Sequence, residues 1–273
     1  MATSTEFDWE IVLNGTDPRF RRFRSFLRRI PHGPRCKMCY APFEGPGAPF
    51  MRAMGRRRWA KNPNYCGGCV TWLGERHGGA EIELSFLFAD VRGSTGLGER
   101  LSPTEFSELL NRFYEVASRV VIDHEGLVDK FVGDEIVAFF PPGFVGPDHA
   151  AVAVDTARAM LEATGHGSAD GPWLPIGAGV HSGIAFVGAV GDGGVTDFTA
   201  LGDTVNTTAR LASAAGPGEI LVSHAAATAA AIDTAGLEER HLELRGRTEP
   251  IDVVVLRAEG AAVGPTPGVR LRR

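Results

Sequence analysis

The period of the apolar positions changes along the chain, and each change marks an element. "IELSFLFADV" (82–91) is a nearly unbroken apolar run ending in an aspartate, the pattern of a buried strand. Beyond it, Phe106, Leu109, Leu110, Phe113, Ala117, Val120 and Val121 recur at helical spacing and give a long helix one buried face. Ser102 suits its N-cap, Pro103 its first turn, Glu105 completes a capping box, and Gly126 is the expected stop. "GLVDKFVGDEIVAFF" (126–140) then places two short apolar runs around Gly133-Asp134, a strand–turn–strand hairpin. A second helix is expected over about 148–164, and two strands over 174–191 joined near Ser182-Gly183. "TDFTALGD" leads a short strand into a helix over 204–214, with Asp203 at its N-cap and Gly216-Pro217 as its stop. "EILVS", "RHLELRG" and "IDVVVLR" read as closing strands, and 258–273 as a loose tail.

From residue 81 the order is β-α-β-β-α-β with extensions, the split βαβ, ferredoxin-like arrangement of the α+β class. A length of 273 residues allows one full-sized domain and a small appendage. The expected division is a basic, irregular or partly helical arm (1–34), a cysteine module (35–73), the main domain (81–257) and the tail (258–273), with a joint near 74–81. No run approaches the length of a membrane span, and the start lacks a signal-peptide layout, so a cytoplasmic protein is expected.

Charge divides the chain where the patterning does. Residues 1–80 hold 14 Lys/Arg against 6 Asp/Glu, and 81–273 hold 14 against 27, giving +8 and −13. The basic block fits a solvated surface or a dock for the acidic remainder; an anionic lipid or nucleic-acid partner is the alternative. All four cysteines form two Cys-x2-Cys knuckles, Cys36/Cys39 and Cys66/Cys69. Four thiolates at that spacing suit a structural Zn²⁺ with no open position. Two disulfides, an iron centre or a redox-active thiol pair are the alternatives. His32 and His77 flank a shell that four sulfurs already fill.

Three polar clusters interrupt or end buried elements. Asp90 closes a strand ahead of Gly93-Ser94-Thr95, which suits a metal ion beside phosphates. Lys130 and Asp134 lie within the apolar hairpin, although a turn aspartate and a wet-face lysine would read the same. Asn206 and Arg210, four apart, share a helix face and can hold a ribose and a phosphate, unless that face is plain surface. Asp90 and Asp134 on neighbouring strands could share two divalent cations.

Residues 82–257 resemble the class III nucleotidyl cyclase catalytic domain, the family of adenylyl and guanylyl cyclases. "FLFADVRGST", "GLVDKFVGDEIVAFF", "GAGVHSGIAFVGAVG" and "TALGDTVNTTARL" match its blocks in order. The resemblance implies two Mg²⁺ or Mn²⁺ at Asp90 and Asp134, with the Val91 backbone beside them. Gly93, Ser94 and Thr95 would face phosphates. Lys130 and Thr199 would read the purine, Asn206 would orient the ribose, and Arg210 would stabilise charge on the α-phosphate. Arg245 or Arg247 would meet the triphosphate. Lysine donates and threonine can accept, which matches adenine, so ATP is the implied substrate. A head-to-tail homodimer with shared sites is implied as well. The competing readings are a degenerate cyclase fold that senses nucleotide without turnover, and a zinc-module nucleic-acid binder with a cyclase output.

Overall fold

The apolar run at 82–91 belongs to a longer strand, β1 (Gly78–Val91), in a computed structural model that describes residues 8–16, 27, 34–60, 62–74, 78–191, 197–243 and 250–258. Among the described residues, the other elements before it are helices α1 (Trp9–Leu13), α2 (Ala48–Ala53) and α3 (Gly67–Gly74). After it come α4 (Ser94–Arg100), α5 (Pro103–Asp123), β2 (Leu127–Val132), β3 (Glu135–Phe140), α6 (Pro142–Val145) and α7 (His149–Ala163). The rest are β4 (Ile176–Val190), β5 (Asp197–Leu201), α8 (Asp203–Ala214), β6 (Glu219–Ser223), α9 (His224–Ala229), β7 (Glu238–Leu242) and β8 (Ile251–Arg257). No described helix is long and apolar enough to cross a membrane.

The chain packs as two compact units. One combines the described residues up to Glu83 with Pro141–Pro147 and Ile184–Leu201; the other holds Leu84–Phe140, Asp148–Gly183 and the described residues from Gly202 onward.

In the second unit the sheet order β2-β3-β1-β4 is the ferredoxin-like order expected from β-α-β-β-α-β, and β6, β8 and β7 extend it. β3 lies antiparallel to β1, from Ser85 opposite Phe140 to Asp90 opposite Glu135. Phe86, Phe113, Ile136, Phe139 and Phe140 are fully buried, each worth about 1.5–3 kcal/mol relative to exposure. A buried polar chain links three elements: Ser85 Oγ lies 2.8 Å from His149 Nδ1 and 2.6 Å from Ser182 Oγ, so no hydroxyl there is stranded.

The cap of α5 is as read: Ser102 Oγ accepts from the Glu105 N–H and the Glu105 carboxylate accepts from the Ser102 N–H. Its end differs. The left-handed residue is Glu125 (φ 67°), whereas Gly126 is required because a Cβ there would sit 2.5 Å from Phe140 and 2.9 Å from Val121. The glycine is kept for close packing rather than for φ.

A second difference lies at residues 174–191, where one continuous strand replaces the expected pair. Gly177, Gly179 and Gly183 do not turn the chain; they make room for α8. A Cβ on Gly179 would stand 2.4 Å from the Ala212 nitrogen, and one on Gly183 3.0 Å from Thr204 Oγ1. α8 also starts one residue earlier than read: Gly202 (φ 139°) is its N-cap and Asp203 lies in its first turn.

In the first unit β5 pairs with the end of β4, from Phe186–Leu201 to Val190–Asp197. Trp9 of α1 stacks on Phe198 with centroids 6.1 Å apart, and α3 packs on β5. Tyr65 meets Phe144 of α6 edge-on at 5.3 Å. Residues 259–273 of the expected tail and residues 244–246 of "RHLELRG" lie outside the described residues.

Candidate active site and cysteine centre

Asp90 stands one residue before the end of β1, and Asp134 in the two-residue turn between β2 and β3, with Gly133 supplying the left-handed φ of 63° that the turn needs. The Val91 N–H donates to the Asp134 carbonyl at 3.3 Å, tying the turn to the strand end. The two carboxyl groups are close enough to hydrogen-bond. Burial pushes the Asp90 carboxyl up to about 6; the Arg92 guanidinium opposes that rise and the Asp134 carboxylate adds to it.

Glu135 is a third member that the sequence did not single out. It stands opposite Asp90 in the β1–β3 register, and burial, then Asp90 and Asp134, push it up to about 7. The signal for it is its place beside Asp134, which matters only once that pairing is known. Half-buried carboxyl groups gathered at one strand end, with Asp90 and Glu135 each pushed up by burial and by acidic neighbours, are a set of hard-oxygen donors that Mg²⁺ or Mn²⁺ fits.

Arg92 was likewise missed. Its guanidinium donates to the Asp90 carboxylate and to the Asp90 carbonyl, and also to the carbonyls of Ser213 at 3.0 Å and Ala215 at 3.1 Å.

Lys130 is exposed on β2, its ammonium 3.4 Å from the Asp129 carboxylate. The register slips between Val128 and Lys130, so Asp129 forms a bulge and its side chain is turned inward while Lys130 faces out. Asn206 and Arg210 lie on the face of α8 away from Thr204, Thr207, Thr208 and Leu211, which are buried. Asn206 is exposed and Arg210 half-buried. Gly93 (φ 73°) caps α4, and Ser94 and Thr95 open it, with open space where a Cβ on Gly93 would project. Thr199 is buried on β5 in the first unit, opposite Gly188. Arg245 and Arg247 lie outside the described residues, as do His32 and His77.

The cysteine centre is also in the first unit. The four Sγ atoms of Cys36, Cys39, Cys66 and Cys69 all lie within 4.8 Å of one another and are buried, and all four thiols are free. Cys39 and Cys66 sulfurs are 3.7 Å apart. A tetrahedron with Zn–S of about 2.3 Å has edges of about 3.8 Å, so the spacing fits a metal and excludes a disulfide between these two. The Cys66 N–H donates to Cys36 Sγ at 3.3 Å and Arg56 Nη1 to Cys69 Sγ at 3.3 Å, contacts that favour thiolate. Leu27, Phe43 and Met51 close the surrounding core.

Solved structures of similar fold include the guanylyl cyclase Cya2, 28% identical with a TM-score of 0.59, covering 68% of this chain and 97% of that one. The adenylyl cyclase CyaB from P. aeruginosa is 29% identical with a TM-score of 0.56, covering 66% and 96%. Among curated relatives, an uncharacterised protein of Mycobacterium tuberculosis is 34% identical over 185 residues, covering 64% of this chain and 32% of that protein. An adenylate cyclase of Anabaena cylindrica is 31% identical over 136 residues, covering 47% and 26%. The chain thus spans about a third or less of the length of these two relatives. Residues 80–257, with the paired carboxylates and the sheet that carries them, match the family model of the adenylate and guanylate cyclase catalytic domain, and the chain belongs to that family.

Proposed function

We propose that the protein is an adenylyl cyclase that converts ATP to 3′,5′-cyclic AMP and pyrophosphate at sites shared across a homodimer. The observation that carries this reading is the meeting of the Asp90 and Asp134 carboxyl groups, with Glu135 against them. Asp90, Asp134 and the Val91 backbone would hold two Mg²⁺ or Mn²⁺. Bound there, such ions neutralise the triphosphate and lower the pKa of the ribose 3′-hydroxyl.

The remaining work falls to this chain's own side chains. Gly93, Ser94 and Thr95 receive phosphate oxygens, and Arg245 or Arg247 takes the far end of the triphosphate. Asn206 holds the ribose. As the bond from the 3′-oxygen to the α-phosphorus forms and the bond to pyrophosphate breaks, Arg210 meets the charge that develops, and the hydroxyl proton passes to water. Removing such a clamp costs on the order of 10²-fold in rate. The nucleophile belongs to the substrate, so no serine or cysteine nucleophile is needed. Lys130 donates to acceptor atoms of the adenine edge, and Thr199 accepts from its amine. Phe131 and Val132, beside Asp134 on the hairpin, are 44% and 53% exposed, which supports docking of this hairpin against a second copy. The cysteine centre holds a structural Zn²⁺.

The full-length protein with Mn²⁺ and either ATP or GTP, its products separated chromatographically, tests the reading. Cyclic AMP from ATP is expected, and none from Asp134→Ala. Equal turnover by that variant removes the metal assignment; cyclic GMP as the sole product reverses the choice of base.

A further inference from the structure

The cyclase reading leaves Arg92 without a part, yet its side chain is among the most heavily bonded near the site. It is 15% exposed and stands two residues from Asp90, and its own N–H donates to the Pro175 carbonyl at 2.8 Å, which anchors its backbone. One side of the guanidinium holds Asp90, through the carboxylate and, at 3.2 Å, through the backbone carbonyl. Its Nη1 reaches the Ser213 carbonyl at 3.0 Å and the Ala215 carbonyl at 3.1 Å, at the C-terminal end of α8. That end needs a donor. The chain leaves α8 through an extended Ala215 (φ −67°, ψ 136°) rather than a left-handed glycine; the Ala215 N–H caps the Leu211 and Ala212 carbonyls, and Arg92 supplies the donors for the Ser213 and Ala215 carbonyls beyond them. A cation there is also favoured by the helix dipole.

We propose that Arg92 is a positioning residue that locks the Asp90 carboxylate to the end of α8, so that the metal-binding carboxylate and the helix carrying Asn206 and Arg210 move as one body. The inference rests on the cyclase reading for its consequence, though the link itself does not. Only a planar fork can span these acceptors; a lysine supplies the charge beside Asp90 but not the reach across both elements.

The test uses the full-length protein. Arg92→Lys should lower kcat by about 10²-fold, the cost of a misplacement of about 1 Å, while KM for ATP and Mn²⁺ binding followed by electron paramagnetic resonance stay within about threefold. Wild-type kcat in Arg92→Lys overturns the proposal, because charge alone would then suffice. Hydrogen exchange without substrate gives the independent arm. Asp90→Asn removes the carboxylate that orients Arg92 and should speed exchange at the amides of 211–216, whereas Asp134→Asn should not. Equal exchange in the two variants breaks the link, and it decides the matter even where Arg92→Lys fails to fold. An absence of any cyclic nucleotide from the wild-type protein would instead count against the cyclase reading, with the exchange result still deciding the Arg92 link.

Discussion

His166 accepts a hydrogen bond from the Ile176 N–H on Nε2 at 3.1 Å, and its Nδ1 lies 2.9 Å from where a Cβ on Gly218 would be, so the site has no room for a larger residue there. Burial holds its pKa down to about 4, against an ordinary value near 6.5. The folded state therefore prefers the neutral ring. Above about pH 6.5 neither state binds the proton and stability does not depend on this residue. Between about 6.5 and 4 the unfolded chain takes up a proton that the folded chain refuses, so stability falls with pH, by about 3 kcal/mol in all. Urea midpoints from pH 7 to 4.5 should drop more steeply for the wild type than for His166→Gln; parallel profiles would remove this assignment. A histidine of this kind is invisible in sequence, because nothing in "EATGHGSAD" says which residues will cover it. The acids were legible for the opposite reason. Asp90 and Asp134 interrupt apolar runs, and a charge among buried neighbours asks for a function. Arg92 and Glu135 stand beside them in the sequence but become informative only through partners distant along the chain, Ser213 and Ala215 for the first and Asp90 for the second.

Among the elements, glycine is the residue most easily misread. The glycines of β4 look like a turn between two strands, but they are the floor on which α8 rests. Gly179→Ala should cost about 1–3 kcal/mol or more in a denaturant titration, since its Cβ would meet the Ala212 nitrogen at 2.4 Å and the Thr208 carbonyl at 2.8 Å, both backbone. Gly96→Ala, in α4 with nothing within 4 Å of the new Cβ, should instead be neutral or stabilise by up to about 1 kcal/mol. Equal effects from the two would mean that α8 does not lie on β4 as described. The start of α5 was easier, because the Ser102–Glu105 capping box is a local bond pair that the sequence spells out. The cysteine module sits between these cases. Its ligand spacing was readable, while its packing of α3 on β5 was not. Metal removal by a chelator should expose that packing: exchange should rise over 62–74 and over β5, with β6 and β8 unchanged, as the four thiolates lose their shared cation. Protection that is the same with and without metal would refute a structural role for the ion.

For the molecule as a whole, a linear reading divides the chain near residue 81, whereas its packed units are assembled from separate segments. Trp9 on Phe198 and Tyr65 on Phe144 show why: aromatic side chains near the N-terminus bury against residues far ahead of them, which periodicity alone cannot reveal. The ferredoxin-like order survived because it depends on element sequence and short connections, both of which patterning conveys. What patterning could not supply is the number of chains in a working enzyme. On one hairpin, Asp134 turns toward Asp90, while Lys130, after the bulge at Asp129, points out to solvent beside exposed Phe131 and Val132. A lysine so placed cannot serve the same site as its own chain's carboxylates unless the hairpin rearranges, but it can serve a partner's. Lys130→Glu and Asp90→Ala should therefore each be inactive alone. Mixed and allowed to exchange subunits, they should recover activity, because one of the two sites in the mixed dimer draws its carboxylates and its lysine from unaltered positions. Random pairing makes half of the dimers mixed, each with one working site, so recovery should approach about a quarter of the wild-type rate. Mixed dimers that form, as seen by native mass spectrometry, yet stay inactive would mean that each chain completes its own site, and Lys130 would then have to reach the base by moving its hairpin.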